Sequence, residues 1–283
     1  MQLYPDPALR PTSDLDLLIQ KHHLLRADEI LSRIGYRRAP DAHSWEFDVT
    51  YDQATFYTHD EMLAVDLHWE LLSNPIFASV ARIELDGVWK RSVVVKFGGE
   101  PVLALCPEDL LIYLALHLAI HHAYSGLIWQ LDIVLLLERY GNELDWNTVV
   151  ERARQWRVTK ALFFVLETVR ESFSHSASDT ILAELRPRDL RGYTMSWLLR
   201  HRDRERLRQL DHLIPLLLVD RGGDLIAPLR DAILPSASWL RVRYDEKEAS
   251  LWRCYGRHLR RLRNVVGRLL DGVTPRRLKR DGF

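Results

Sequence analysis

Cysteine is nearly absent from this chain: Cys106 and Cys254 are the two among 283 residues. Two isolated thiols make neither a CxxC pair nor a framework of bridges, and they read as the reduced thiols of a cytoplasmic protein. Glycine and proline are sparse as well, 13 and 12 residues, which excludes collagen-like and low-complexity chains. Long hydrophobic runs are missing. The most apolar stretch, Leu110 to Ile120, is interrupted by His117 and is too short to span a bilayer. The opening MQLYPDPALRP has no apolar segment of the kind a secretory leader needs, so the expectation is a cytoplasmic protein without a membrane span. No repeat of 20–50 residues interrupts the pattern either. Hydrophobic residues nevertheless make up 47% of the chain, enough to build a sizeable core and to exclude disorder.

Net charge is also missing, but the formal zero hides two opposed halves. Residues 1–150 hold 11 Lys/Arg against 22 Asp/Glu, and residues 151–283 hold 28 against 17. A basic half suggests an anionic partner. The charge is densest between Trp252 and Arg280, where ten Lys/Arg face one acid, Asp271. A helix from about Asp245 to Leu270 is expected there, with Leu251, Tyr255, Leu259, Leu262, Val266 and Leu269 as its apolar stripe. Arg257, Arg260, Arg261, Arg263 and Arg268 then lie mainly outside. Such a face suits tRNA or another phosphate-rich molecule, anionic lipid, or the acidic half of the same chain, and a simply solvated face is the plain alternative.

Local patterning divides the chain near residue 105. Leu24, Ala27, Leu31 and Ile34 form a helical stripe over 22–34 that Gly35 ends. Segments Trp45–Thr50, Ala54–Thr58 and Met62–Leu71, rich in aromatic and β-branched residues, read as strands. Residues 88–97 and 101–105 flank Gly98-Gly99 as a hairpin. Beyond Cys106 the pattern turns helical: Pro107 suits a first helical position, Glu108 and Asp109 suit its positive end, and Asp145 suits an N-cap ahead of Trp146, Val149, Val150 and Ala153. The expected fold is α+β, with a small N-terminal mixed sheet and flanking helices over 1–105, then a mostly helical domain over 106–283.

The sharpest chemical signal is Asp14-Leu15-Asp16. In a strand, residues two apart share a face, so both carboxylates point one way while Leu15 and Leu17 point into the core. Two adjacent carboxylates repel, and a divalent cation such as Mg²⁺ or Mn²⁺ relieves the conflict. Asp66, in the alternating run Leu63 to Glu70, is the best third carboxylate, with His68 and Glu70 on its face. A solvated turn or helix cap is the alternative for so short a motif.

The wider string Leu3-Tyr4-Pro5-Asp6-Pro7-Ala8-Leu9-Arg10-Pro11-Thr12-Ser13-Asp14-Leu15-Asp16-Leu17-Leu18-Ile19 resembles an uncharacterised bacterial nucleotidyltransferase family of the DNA polymerase β-like superfamily. Asp66-Leu67-His68-Trp69 is similar to the family's second acidic strand, and Leu105 to Leu111 to the start of its next helix. His117, His121 and Trp129 to Ile133 are similar to its helical core, and the likeness extends over about residues 3–160. The resemblance implies transfer of a nucleoside monophosphate from an NTP to an acceptor, with pyrophosphate leaving. Asp14 and Asp16 would hold the metal that grips the triphosphate, and Asp66 would share a second metal and help deprotonate the acceptor. Arg10 is placed either to contact a phosphate or to orient the Asp pair through a salt bridge. Ser13 and His68 border the same site. His121 and Asp132 are expected to line the cleft facing the sheet, as nucleotide contacts or as hydrogen-bonded core polar groups. The acceptor is open among protein, peptide natural product, small molecule and tRNA. Superfamily members carry a glycine-containing phosphate-binding turn shortly before the acidic strand, and the thirteen residues ahead of Asp14 contain none. The second expectation is therefore a catalytically silent module of the same fold that binds a partner protein or RNA.

Overall fold

A computed structural model describes residues 3–4, 6–38, 54–60, 62–72, 74–173, 177–201, 214–244 and 250–273. The expected strand Trp45–Thr50 lies outside them. The architecture is α+β, a small mixed sheet with flanking helices and a helical C-terminal region. Among the described residues, no helix is long and apolar enough to cross a membrane.

Four strands form the main sheet: β1 (Asp14–Leu18), β2 (Arg37–Arg38), β3 (Ala54–Thr58) and β4 (Ala64–His68), in the order β1-β4-β3-β2. β1 runs parallel to β4, and the other neighbours are antiparallel. A parallel neighbour needs a crossover, and here helix α1 (Leu24–Arg33) opens it. In β4 the side chains alternate strictly, Val65 and Leu67 buried and Ala64, Asp66 and His68 half-buried. The buried pair packs with Leu24 and Leu31 of α1 and with Tyr36, Tyr57 and Trp69. Tyr57 donates to Asp28 of α1 at 2.6 Å and Tyr36 to the Leu63 carbonyl at 2.8 Å, so both buried phenols are satisfied.

Two expected core placements are corrected. Leu15 and Leu17 are each 37% exposed. They share a face with Val65 and Leu67, but among the described residues β1 lies at the edge of the sheet and β4 is its one neighbouring strand. Ile34 is 55% exposed, because α1 ends at Arg33 and Gly35, at φ +94°, turns the chain away.

Three further elements lead into the helical region: α2 (Pro75–Val80), α3 (Leu85–Arg91) and a separate hairpin of β5 (Val93–Phe97) and β6 (Glu100–Ala104). Gly98 and Gly99 both take positive φ, +59° and +91°, as the tight two-residue turn requires. The first part of the expected strand 88–97 is instead the end of α3. The main core is then built on α4 (Pro107–Leu116), α5 (Leu127–Tyr140), α6 (Trp146–Trp156) and α7 (Thr159–Phe173), with Leu111, Ile133, Val149 and Phe164 wholly buried. Leu71, Leu72, Phe77 and Val88 belong to this core too, so it spans position 105. Pro107 follows the N-cap Cys106, and Asp145 caps α6 through the backbone N–H groups of Asn147 and Thr148, as the sequence suggests.

One buried carboxylate ties these parts together. Asp109, on the first turn of α4, is fully buried and accepts from Arg91 of α3 at 3.2 Å and from Arg152 of α6 at 2.6 Å. At the far end of the chain, α8 (Asp179–Leu185), α9 (Leu190–His201), α10 (Ile214–Leu218), α11 (Ile226–Ile233) and α12 (Ala237–Arg243) precede the long α13 (Leu251–Val273). The buried face of α13 departs from the expected stripe. Cys254 and His258 are buried while Leu259 is 52% exposed. Tyr244 meets His258 Nδ1 at 3.3 Å and Trp239 lies edge-on to its ring, so a satisfied histidine takes a position that periodicity assigns to an aliphatic residue. Arg257, Arg260, Arg261 and Arg263 are exposed, as expected; the side chains of Val266, Arg268 and Leu269 lie outside the described ones.

Removing Asp109 would leave two arginines without their buried partner. Asp109→Ala is expected to destabilise the protein by about 3–5 kcal/mol, measured as a lowered urea midpoint, and Asp109→Asn by less.

Candidate functional site

The face of the sheet opposite α1 carries the carboxylates. Parallel register sets Asp16 directly beside Asp66 and Leu18 beside His68, with Asp14 beside Ala64. Because neighbours in register share a face, Asp14, Asp16, Asp66 and His68 all point toward α4 and the π-helical turn His117–His121 that continues it. One ligand atom from each of Asp16, Asp66 and His68 falls within 4.8 Å of the others, the spacing of a potential metal site. Asp14 lies on the same wall, outside that group of three.

His68 sits between the two carboxylates, its Nε2 at 3.3 Å from Asp16 Oδ1 and 3.2 Å from Asp66 Oδ2. Burial alone depresses an imidazole, but the hydrogen bonds and charges of Asp16 and Asp66 outweigh it and lift His68 to about 9. At neutral pH it is an imidazolium, a cation held where the carboxylates converge. The same hydrogen bond lowers Asp16 against the effect of its burial. Asp14 has no such partner and is raised, first by burial and then by the charges of Asp16 and Asp66, while Ser13 donates to it and lowers it in part.

Histidines form the opposite wall. His117 Nε2 lies 2.9 Å from His122 Nε2, so one ring donates and the other accepts, and at least one of the two is neutral. Burial pushes His117 down to about 4, with the neighbouring His121 adding to it. Burial against the cleft wall also lowers His121, and His68 contributes. His122 stacks on Trp129 with ring centroids 3.4 Å apart. The chain leaves this turn through Ala123, Tyr124 and Gly126, all at positive φ; a Cβ at Gly126 would overlap the Trp129 ring. This strained connection holds the histidines and Trp129 against the cleft.

Together these groups enclose a cleft of about 500 Å³, lined by Arg10, Ser13, Asp14, Asp16, Asp66, His68 and His121 among others. Asp132 is not on its wall. Its carboxylate accepts from Tyr4 Oη at 2.7 Å and from Arg10 Nε at 3.3 Å and Nη2 at 3.0 Å, and it is 4% exposed. Arg10 forms its salt bridge with Asp132 of α5 rather than with the Asp pair. The tie fastens the segment before β1 to the helical core and so places Ser13 and Asp14 at the mouth of the cleft. Sequence reasoning missed Tyr113, His117, His122 and Trp129 as cleft-lining groups. The helical spacing of His117 and His121 was the available signal.

The donor set fits a hard divalent cation: two carboxylates on neighbouring strands that line a cleft, with His68 between them as a ligand once its Nε2 gives up its proton. His117 supplies a test of the cleft wall. The unfolded chain takes up a proton on this histidine near its ordinary pKa of 6.5, and the folded protein resists it until about 4. Stability therefore falls as pH drops from about 6.5 toward 4, by up to about 1.4 kcal/mol per pH unit for one proton. Urea unfolding across that window is expected to show a shallower pH slope for His117→Gln than for wild type.

No curated protein and no solved structure gives a significant match to the chain. Residues 1–174 do match a family, described as uncharacterised nucleotidyltransferase, and they cover the main sheet, the hairpin, both acidic strands and the helices through α7. The chain belongs to that uncharacterised nucleotidyltransferase family.

Proposed function

We propose that the protein is a metal-dependent nucleotidyltransferase that moves a nucleoside monophosphate from an NTP to an acceptor. The observation that carries this reading is the convergence of Asp16, Asp66 and His68 on one point at the base of a cleft. Asp16 and Asp66 would hold Mg²⁺ or Mn²⁺, with Asp14 beside them and His68 either as a further donor or displaced from its bridging position. The cation, when bound, supplies positive charge that offsets the charge developing on the transferred phosphoryl group.

The remaining work falls to the chain's own residues. An acceptor oxygen forms a bond to the α-phosphorus, the bond from that phosphorus to the bridging oxygen breaks, and pyrophosphate departs. The hydroxyl proton passes to a carboxylate, and Asp66 is the one proposed to receive it. Ser13, Arg10 and His121 border the space for the nucleotide. Arg10 reaches it with its fork already oriented by Asp132, which limits the entropy lost on binding a phosphate. Asp132 acts through Arg10 and Tyr4 as a positioning residue.

One observation favours a second reading. The His68 imidazolium already bridges Asp16 and Asp66 and satisfies them electrostatically without any metal. A catalytically silent module of this family, binding a partner protein or RNA, needs no more than that.

The two readings separate on metal binding and transfer. Mn²⁺ is expected to raise the melting temperature of wild type, and Asp16→Asn to lose that response while still folding. Purified protein incubated with each α-labelled NTP, Mn²⁺ and cell extract is expected to label an acceptor, with Asp16→Asn or Asp66→Asn at least about 100-fold weaker. A wild type whose melting is indifferent to Mn²⁺ and Mg²⁺, and which transfers no label, assigns the chain to the silent class.

A further inference from the structure

The carboxylate wall has a second side. A separate cavity of about 590 Å³ lies between β1, α3 and the β5–β6 hairpin, and it shares Asp16, His68, Leu71 and Tyr113 with the cleft described above. Asp16 and His68 thus stand at the junction of two chambers. The chambers differ in chemistry. The first contains Arg10, Ser13, four histidines and the carboxylates of Asp14, Asp16 and Asp66. The second is walled by Leu17, Leu18, Val88, Trp89, Val102 and Leu103, and no lysine or arginine lines it among the described residues.

Charge decides which chamber suits which substrate. A triphosphate brings several negative charges, and the Arg10 side offers hydrogen-bond donors together with the Asp14, Asp16 and Asp66 carboxylates that would hold a divalent cation to meet them. The hairpin side offers only Asp16 and Glu70 as formal charges besides His68. Glu70 is half-buried, and Lys21 is the cation that acts on its carboxylate. A phosphate-rich acceptor entering there would meet two carboxylates and apolar walls, with His68, itself already shared between Asp16 and Asp66, as the one cation lining the cavity among the described residues. An apolar body fits both the volume and the lining, since pockets of about 300–1,000 Å³ with mostly apolar walls and a few polar groups are typical of small-molecule sites.

We infer that the hairpin-side cavity is the acceptor site, and that it takes a small molecule with an apolar body, neutral or cationic, which presents a hydroxyl at Asp16, the carboxylate that lines both chambers and has Asp66 beside it in register. The inference rests on the nucleotidyl-transfer reading and names its acceptor class. Glu70 lies at the polar end of the chamber, where it can accept from a second hydroxyl or an ammonium group of the same molecule. Trp89 and the aliphatic side chains of β6 supply the contact area that selects the apolar portion. Val102 and Leu103, 39% and 56% exposed, form the outer wall and are the positions at which acceptor preference is set.

The test uses the full chain and N-phenyl-1-naphthylamine, an uncharged fluorescent apolar probe. Wild type in Mn²⁺ is expected to bind one equivalent saturably. Leu103→Asp, at an exposed position that tolerates a polar side chain, is expected to weaken that binding at least tenfold while its melting temperature and its response to Mn²⁺ stay at wild-type values. Val102→Asp serves as the second variant if Leu103→Asp melts lower. In the transfer assay, hydroxylated apolar compounds are expected to take label from α-labelled NTP and to be competed by the probe. Absence of saturable probe binding, equal binding by wild type and both variants, or preferential labelling of tRNA overturns the assignment. Probe binding that behaves as expected in a protein indifferent to Mn²⁺ overturns the transfer reading and leaves the cavity's ligand class standing.

Discussion

Parallel pairing of β1 with β4 is the constraint on which the rest of the site depends. Side chains in a strand alternate with a period of two, so a single residue of slip would move every carboxylate to the opposite face. The observed register puts Asp16 beside Asp66 and leaves Val65 and Leu67 against α1. Burial of that aliphatic pair under α1 makes the slipped register costly. Hydrophobic packing on one face of the sheet thereby specifies the electrostatics of the other. His68 then falls between the two carboxylates because it lies two residues beyond Asp66 on the same strand.

The helices complete the arrangement from the opposite side, and they do so with buried ion pairs. Asp109 joins α3, α4 and α6, and Asp132 joins α5 to the segment ahead of β1. Both carboxylates sit on helices of the main core, and both are met by arginine, whose planar fork fills two acceptor positions at once. Between them runs the π-helical turn with its two histidines, followed by His122 and residues at positive φ. A π-helical turn and two consecutive non-glycine residues at positive φ thus fall together in the stretch that faces the acidic strands.

Much of the sheet was legible in the sequence because its signals are local. The alternation of β4, the Asp-Leu-Asp of β1, the double glycine of the hairpin and the caps of α4 and α6 each depend on a few adjacent residues. Features set by distant partners were harder to read. Leu15 and Leu17 have core composition, but their exposure follows from β1 being an edge strand, which only the sheet order reveals. Asp132 has the residue type of a cleft ligand, but Tyr4 and Arg10, more than 120 positions away, engage its carboxylate. His258 is polar by composition and core by location, since Tyr244 supplies its hydrogen bond. In each case the missing information was a strand placement or a partner that lies beyond the adjacent residues.

The Asp132 tie also gives the molecule a mechanical asymmetry. On the Arg10 side, sheet and helices are pinned by a phenol and a guanidinium converging on one nearly buried carboxylate, so widening the cleft there means exposing a charge that has lost its partners. On the far side the boundary is a ribbon to which no third strand pairs among the described residues, joined to the core through α3 and the start of α4. Breathing of the molecule is therefore expected to be one-sided: the hairpin swings, and the wall of acidic strands and histidines stays at constant width.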